Sequence, residues 1–337
     1  MRALALLFAL AGCDQPAPSA PDTIAAGAPA RATIAEPLRI GWQSTWATQG
    51  QLAQILVHTD LLTREGYAPE LVGFTHDGPL NEAALAGEVD VVLAADQPAL
   101  MLCARDPHWR IVGRLMASRV GTFVPTGSTA QSIADLEGGK VAIPDGAAAQ
   151  RETLAALREA GLTPGEDVFP VNMGLAEQLA LVEAGATDGR WGEIAAGSAW
   201  DPALARLETS KKVRLLAHGV VTSVVLMDSR YLVAHRGADA AFLRALAGAY
   251  DTFRADRAQA DAWFNEASGA TWEAEVLELS GSVEQNLNAQ RTGPARTRLS
   301  GVEITGLVDA AAFMADAGLL SGPLDVGALI RQPREDR

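Results

Sequence analysis

Short apolar runs alternate with segments of helical spacing along most of this chain, and this alternation restricts the possible folds more than any other feature. The first apolar runs are residues 38–42, 70–74 and 89–94. Between them, residues 51–62 and 79–86 place apolar side chains three or four positions apart, which predicts helices. Strands and helices in this order favour a parallel sheet with helical crossovers. We therefore predict an α/β fold.

The same pattern continues to residue 317 and indicates two lobes. A second series begins near Phe123, and the β-branched run at residues 220–227 is expected to return to the first sheet. The chain is predicted to cross between the lobes twice, near residues 117–122 and 217–220. Further strands are predicted at residues 109–115, 140–143, 168–171, 191–196 and 213–216, and further helices at 98–104, 148–160, 176–183, 238–254, 258–267, 272–279 and 306–317.

The N-terminal segment lacks this alternation. Residues 3–10 form an apolar run that is too short to span a bilayer. The run ends in Leu-Ala-Gly-Cys, which resembles a bacterial lipobox, so residues 1–12 are predicted to be a signal peptide and Cys13 the lipidated residue. Residues 13–37 are rich in Pro, Ala, Ser and Gly, which is typical of a flexible linker to a lipid anchor.

Charge and motif content exclude several classes of function. The chain has 27 Lys and Arg against 41 Asp and Glu, a net charge of −14, which argues against a nucleic-acid partner. Nucleotide-binding glycine loops, a serine nucleophile elbow and zinc-protease motifs are missing from the sequence. The five histidines have no metal-ligand spacing. We therefore predict no metal, no cofactor and no enzymatic activity.

Five segments of the chain, in order, carry a resemblance to a known family. The chain resembles the periplasmic solute-binding proteins of ABC importers that bind aliphatic sulfonates, taurine, nitrate and thiamine pyrimidine precursors. The matching segments are LRIGW at residues 38–42, NEAALAGEVD at 81–90, ADLEGGKVA at 134–142, LREAGLTP at 157–164 and AWDP at 199–202.

The resemblance implies a two-lobed type 2 periplasmic binding protein fold with two crossovers. Lobe 1 would comprise residues 38–120 and 218–330, and lobe 2 residues 121–217. Together with the lipobox, which predicts a lipid anchor at Cys13, it implies a monomer on the periplasmic face of the cell membrane. This monomer would capture a small solute by hinge closure and deliver it to an ABC permease in the inner membrane. Two alternatives stay open: a sensor for a membrane kinase, and an enzyme of the same fold that resembles the pyrimidine synthase of thiamine biosynthesis.

In such folds the ligand lies at the carboxyl ends of the parallel strands, so the loops after the strands hold the candidate site residues. Tryptophan rings in these loops could form a flat wall or bind a cation, although each could also belong to the core. Asp96, Asp145 and Asp201 could each contact the ligand or cap a helix. The candidates are Trp42, Gln43, Trp46, Asp96, Gln97, Asp145, Gly146, Ala147, Ala148, Trp200 and Asp201.

The candidate residues include carboxylates and aromatic rings but no Arg or Lys. The nearest cationic candidates are Arg119 and Arg151, and Arg151 could also be a solvated surface residue. The resemblance alone favours a small oxyanion-bearing solute such as a sulfonate, which the start of the helix after Ala147 could hold through backbone N–H groups. The carboxylates instead favour a solute with an amine. We therefore expect an organic solute, larger than nitrate, with a nitrogen donor.

Overall fold

The computed structural model describes residues 35–333 except 289 and 292. The predicted signal peptide and Cys13 lie outside the described residues, as does nearly all of the linker. The first strand begins at Glu36, so the predicted linker boundary at residue 37 falls inside it.

Eight strands form one mixed sheet within the described residues. They are β1 (Glu36–Gln43), β2 (Tyr67–Phe74), β3 (Val91–Ala95), β4 (Trp109–Pro125), β5 (Lys140–Ile143), β6 (Phe169–Asn172), β7 (Ile194–Trp200) and β8 (Val213–Asp228). The strand order is β2-β1-β3-β8-β4-β7-β5-β6. Strands β1, β2 and β3 are parallel to each other, as are β5, β6 and β7, while β4 and β8 form an antiparallel pair between the two groups.

Helices connect and cover these strands. They are α1 (Ala47–His58), α2 (Leu61–Arg64), α3 (Asp77–Leu85), α4 (Asp96–Arg105), α5 (Ala148–Glu159), α6 (Leu175–Ala184), α7 (Ala203–Thr209), α8 (Ser229–Ala234), α9 (Ala238–Ala255), α10 (Arg257–Ser268), α11 (Ala274–Ser280), α12 (Gly301–Asp316) and α13 (Val326–Leu329). Two 3-10 helices lie at Ile133–Leu136 and Gln285–Leu287. Helices α9 and α10 pack on α1, whereas α12 packs on both α4 and α5.

The long strands β4 and β8 determine where the two parallel groups meet. The carboxyl end of β3 pairs with β8 at Ser223, which faces Met116 of β4. The carboxyl end of β7 pairs with β4 at Val120. Because β3 and β7 run in opposite directions, their carboxyl ends approach each other from the two sides of residues 117–119. A cleft therefore opens between lobe 1, which contains β1–β3, and lobe 2, which contains β5–β7.

The structure confirms the α/β prediction and corrects parts of it. The β-branched run at residues 220–227 returns to β3 as part of β8, as predicted. Residues 109–115 were expected to extend the parallel group, but they belong to β4 and pair antiparallel with β8. Both predicted crossings lie inside β4 and β8, because each strand runs continuously through both halves of the sheet. The strand predicted at residues 191–196 is β7, which begins later, at Ile194.

Candidate functional site

A cavity of about 490 Å³ lies between the two lobes, at the carboxyl ends of their parallel strands. Loops that follow β1 and β2 form its lobe 1 wall, and loops that follow β5 and β6, with the end of β7, form its lobe 2 wall. The residues that line it are Thr45, Thr75, His76, Asp77, Gly78, Pro144, Asp145, Gly146, Ala147, Gly174, Leu175, Ala176, Glu177 and Trp200.

Three helices begin at this cavity, and none of them is capped by the side chain of its N-cap residue. The N-cap residues are His76 for α3, Ala147 for α5 and Gly174 for α6. Other helices in this chain do have capping side chains, such as Asp256 at α10 and Ser300 at α12. The first N–H groups of a helix lack partners inside the helix and carry a partial positive charge. The start of α5 therefore offers N–H groups that can bind an anion. Carboxylates stand in the first turns of the other two helices: Asp77 is the first residue of α3, and Oε2 of Glu177 accepts from the N–H of Gly174 at 3.0 Å in α6.

The loop before α5 is held by hydrogen bonds to Gln150, a side chain in the first turn of the helix. Gly146 has a φ of 80°, which favours glycine, and its N–H donates to Oε1 of Gln150 at 2.9 Å. The Nε2 atom of Gln150 donates in turn to Oδ1 of Asp145 at 2.9 Å. Asp145 is exposed at the cavity wall and makes no capping hydrogen bond to α5.

Asp77 is the buried carboxyl group of the cavity. It is only 3% exposed, and its Oδ1 accepts a hydrogen bond of 2.6 Å from Nε2 of Gln43. Its Oδ2 is buried without a hydrogen-bond partner among the described residues. Burial raises the pKa of Asp77 to about 7, and the hydrogen bond from Gln43 only partly opposes this shift. Asp77 can therefore change its charge near neutral pH.

A stacked pair of tryptophans closes one side of the cavity. The rings of Trp46, from lobe 1, and Trp200, from lobe 2, lie 5.7 Å apart at an angle of 17°. Nε1 of Trp200 donates to the backbone oxygen of Thr45 at 3.1 Å. Trp200 lines the cavity, whereas Trp46 is fully buried behind it. Trp42 lies in the lobe 1 core, because its ring fills the space beside Gly73.

A polar seam joins the lobes beside the cavity. Asp96, at the start of α4, accepts a 2.6 Å hydrogen bond from Nη2 of Arg151 on α5. Gln97 donates across the same gap to Gln150 at 3.0 Å. Burial raises the pKa of Asp96, although Arg151 opposes the shift. Asp96, Arg151 and Glu152 line a separate cavity of about 440 Å³ together with residues of β8 and α12.

Asp201 is part of a buried ion pair on lobe 2. Its two carboxylate oxygens accept hydrogen bonds from Nε and Nη2 of Arg119 at 2.8 and 2.9 Å. Its Oδ1 also accepts from the backbone N–H of Ala205 in the first turn of α7, at 3.1 Å. Burial raises the pKa of Asp201 to about 6, against the effect of Arg119. This pair connects α7 to β4 and leaves neither group at the cavity wall.

The structure brings four of the predicted site residues to the cavity wall: Asp145, Gly146, Ala147 and Trp200. The others lie elsewhere, in the core, in the seam or in the pair with Arg119: Trp42, Gln43, Trp46, Asp96, Gln97, Ala148 and Asp201. Both cationic candidates, Arg119 and Arg151, are bound to carboxylates.

Sequence reasoning missed the loops after β2 and β6. His76, Asp77, Gly78 and Gly174 were not among the predicted site residues. A signal was present, because Asp-Gly-Pro at residues 77–79 and Met-Gly-Leu at 173–175 each lie between an apolar run and a helical segment.

Among the residues that the structure describes, no helix has the length and hydropathy of a membrane span. The same residues include no group of three or more His, Cys, Asp or Glu side chains arranged to bind a metal.

No protein-family profile matches the chain. The chain is similar to a protein of Escherichia coli (strain K12) assigned as an aliphatic sulfonates-binding protein, with 28% identity over 206 residues. This match spans 59% of the chain and only 59% of that relative.

Solved structures resemble the chain over most of its length. The periplasmic aliphatic sulphonate binding protein SsuA of Escherichia coli matches with a TM-score of 0.70 and 22% identity, over 90% of this chain and 94% of that one. The alkanesulfonate-binding protein SsuA of Xanthomonas axonopodis pv. citri, bound to MOPS, matches with a TM-score of 0.69 and 24% identity, over 88% and 98%. The chain therefore has the two-lobed periplasmic binding protein fold.

The same fold also occurs in an enzyme. The desulfurization enzyme DszB matches with a TM-score of 0.61 and 16% identity, over 88% of this chain and 96% of that one. The fold alone thus does not separate binding proteins from enzymes.

Proposed function

We propose that this chain is the solute-binding component of an ABC importer and that it captures an organic sulfonate in the cavity between its lobes. One observation carries the proposal: three helices, α3, α5 and α6, begin at a single cavity, and the first backbone N–H groups of α5 have no capping side chain. Such backbone N–H groups can hold the oxygens of a sulfonate without a cationic side chain. The relatives whose names refer to sulfonate binding support the same solute class.

The volume and charge of the cavity support an organic solute. A volume of about 490 Å³ is in the range of small-molecule sites and exceeds the needs of nitrate. The carboxyl groups of Asp77, Asp145 and Glu177 on its wall suit a nitrogen donor elsewhere on the same solute. MOPS, which the Xanthomonas protein binds, contains both a sulfonate and an amine. We therefore retain the expectation of a nitrogen donor.

The remaining parts of the proposal concern the cellular role. The protein would be a monomer, anchored at the periplasmic face of the membrane through Cys13, and would close around its solute before meeting the permease. Cys103 is buried in α4, and burial raises the pKa of its thiol to about 12, so it is a poor nucleophile.

A charge introduced at the start of α6 tests the proposal. Ala176 is exposed, lies in the first turn of α6 and lines the cavity. Ala176→Glu adds an anion where a sulfonate would bind, although glutamate in a first helical turn is favourable for the helix itself. We expect this variant to fold with unchanged or higher Tm and to lose sulfonate binding. Ala176→Gln is the matched control, because it adds the same bulk without charge.

A thermal-shift screen provides the measurement. Alkanesulfonates, taurine, nitrate, pyrimidines, amino acids and polyamines are tested at equal concentrations. A true ligand at about 100 times its Kd stabilises a protein by about 2.7 kcal/mol. Sulfonates should raise the Tm of the wild type and of Ala176→Gln but leave that of Ala176→Glu unchanged. A screen in which polyamines alone bind, and bind Ala176→Glu more tightly, would refute an anion site.

A further inference from the structure

Asp77 is unusual for a residue at an anion-binding cavity, because it brings a carboxyl group to the wall and leaves one oxygen unpaired. Buried polar atoms almost always have a hydrogen-bond partner, so an exception requires an explanation. The Oδ1 atom of Asp77 is bound by Gln43, while Oδ2 is buried and without a partner among the described residues. Oδ2 is shielded from solvent, but Asp77 is among the residues that line the cavity, so a solute bound there is a candidate for its missing partner.

The surroundings of Asp77 make its ionised form unfavourable. Helix α3 packs against β1, β2, β3 and α4. From β1 the neutral Gln43 donates to Asp77, and from α4 the carboxylate of Asp96 acts on it with like charge. Across the cavity lie Asp145 and Glu177, and no Arg or Lys is among the residues that line it. The imidazole of His76, the N-cap residue of α3, also lines the cavity.

We propose that Asp77 is a specificity residue whose protonation state selects the solute. This inference rests on the proposed function. The protonated carboxyl group donates from Oδ2 to an oxygen of an anionic solute. The ionised group repels a solute that carries only a sulfonate, and it accepts a hydrogen bond from a solute that also carries an ammonium group. The cavity therefore binds simple sulfonates together with a proton, and it binds aminosulfonates without one.

The test compares two solutes of nearly equal size, 1-propanesulfonate and 2-aminoethanesulfonate, by titration calorimetry between about pH 5.5 and pH 8. If only protonated Asp77 accepts 1-propanesulfonate, the ionisation near pH 7 weakens its binding about tenfold over this range. Titrations at pH 8 in buffers of different ionisation enthalpy should show close to one proton taken up per 1-propanesulfonate. The aminosulfonate should bind at pH 8 with no proton uptake.

Three variants assign the effect to its source. Asp77→Asn keeps a hydrogen-bond donor but cannot ionise, so binding of 1-propanesulfonate should become independent of pH and release or take up no proton. Asp145→Asn removes an exposed carboxylate from the opposite wall, and its affinity for 1-propanesulfonate should depend on pH as in the wild type. His76→Gln should show the same pH dependence. The inference would be overturned if the affinity for 1-propanesulfonate no longer depended on pH in His76→Gln but still depended on pH in Asp77→Asn.

Failure of the role proposed for Asp77 and failure of the proposed function give different experimental results. If no sulfonate binds wild type at any pH, the proposed function fails. If sulfonates bind with the same affinity at pH 5.5 and pH 8, the sulfonate site stands and the role of Asp77 is refuted. If Asp77→Asn does not fold, the proton uptake of His76→Gln decides the question: uptake that persists in this variant supports Asp77, and uptake that disappears refutes it.

Discussion

The unpaired carboxyl group of Asp77 should lower the stability of the ligand-free protein at neutral pH, and Asp77→Asn measures the cost. Its pKa is raised from 3.8 to about 7 in the folded protein. A carboxyl group with a raised pKa in the folded state stabilises the fold while it is protonated. That contribution is complete below about pH 4 and is lost as the pH rises through 7.

The shift of about 3 pKa units corresponds to about 4 kcal/mol in total. Integration of the two titration curves places about 2–3 kcal/mol of this loss between pH 5 and pH 8. Asp77→Asn does not ionise, so its stability relative to wild type should rise by about 2–3 kcal/mol across that interval. Any pH-independent effect of the asparagine amide on the free energy of unfolding cancels when the values at pH 5 and pH 8 are subtracted.

Urea unfolding of wild type and variant at pH 5 and pH 8 gives the four free energies that are needed. The exposed Asp145→Asn variant, measured in the same way, should show a difference close to zero. If the stability difference between Asp77→Asn and wild type is the same at both pH values, Asp77 is not the buried, charge-changing group that the structure indicates.

Three further predictions concern the core, the cavity wall and the anchor. Arg114→Met should destabilise the protein by about 3–5 kcal/mol in thermal or urea unfolding, because it leaves the fully buried Glu284 without its bidentate partner. The double variant with Glu284→Gln should recover most of this lost stability. Sulfonate binding should change the tryptophan fluorescence, and Trp200→Phe should remove most of that change whereas Trp263→Phe, outside the cavity wall, should not. Cys13→Ser should move the protein from the membrane pellet to the soluble fraction, and an unchanged distribution would contradict lipidation.

Local patterns were sufficient to predict most elements, because they depend on short stretches of sequence. The glycine after α3, Gly87, and the proline at residue 79 fixed the limits of that helix to within two residues. The direction of β4 was not predictable in this way. Its buried residues give the same apolar run whether the neighbouring strand is parallel or antiparallel, and the pairing with β8 joins residues about 100 positions apart.

Pairs of charged residues show the same limit at the site. Asp96 and Arg151 are 55 positions apart, and Arg119 and Asp201 are 82 apart. Each residue alone fitted either a ligand contact or a solvated or capping role. Only the fold brings the partners together. Each of these residues was a candidate contact for the ligand, and the structure shows that its charge is paired with another side chain instead.

The strand order explains why part of the cavity wall was missed from the sequence. Strand β3 adjoins the central pair, and α4 begins directly after it with Asp96 and Gln97. These residues contact Arg151 and Gln150 of lobe 2, so the seam lies at the carboxyl end of β3. The cavity lies beside the seam, and its wall includes the loops after the outermost strands β2 and β6. The loops of those two strands supply His76, Asp77 and the start of α6. A seam that is polar and partly charged can separate when the lobes open, since water can solvate its groups. The seam and the cavity are joined through α5, because the loop before α5 lines the cavity while Gln150 and Arg151 of its first turn contact lobe 1.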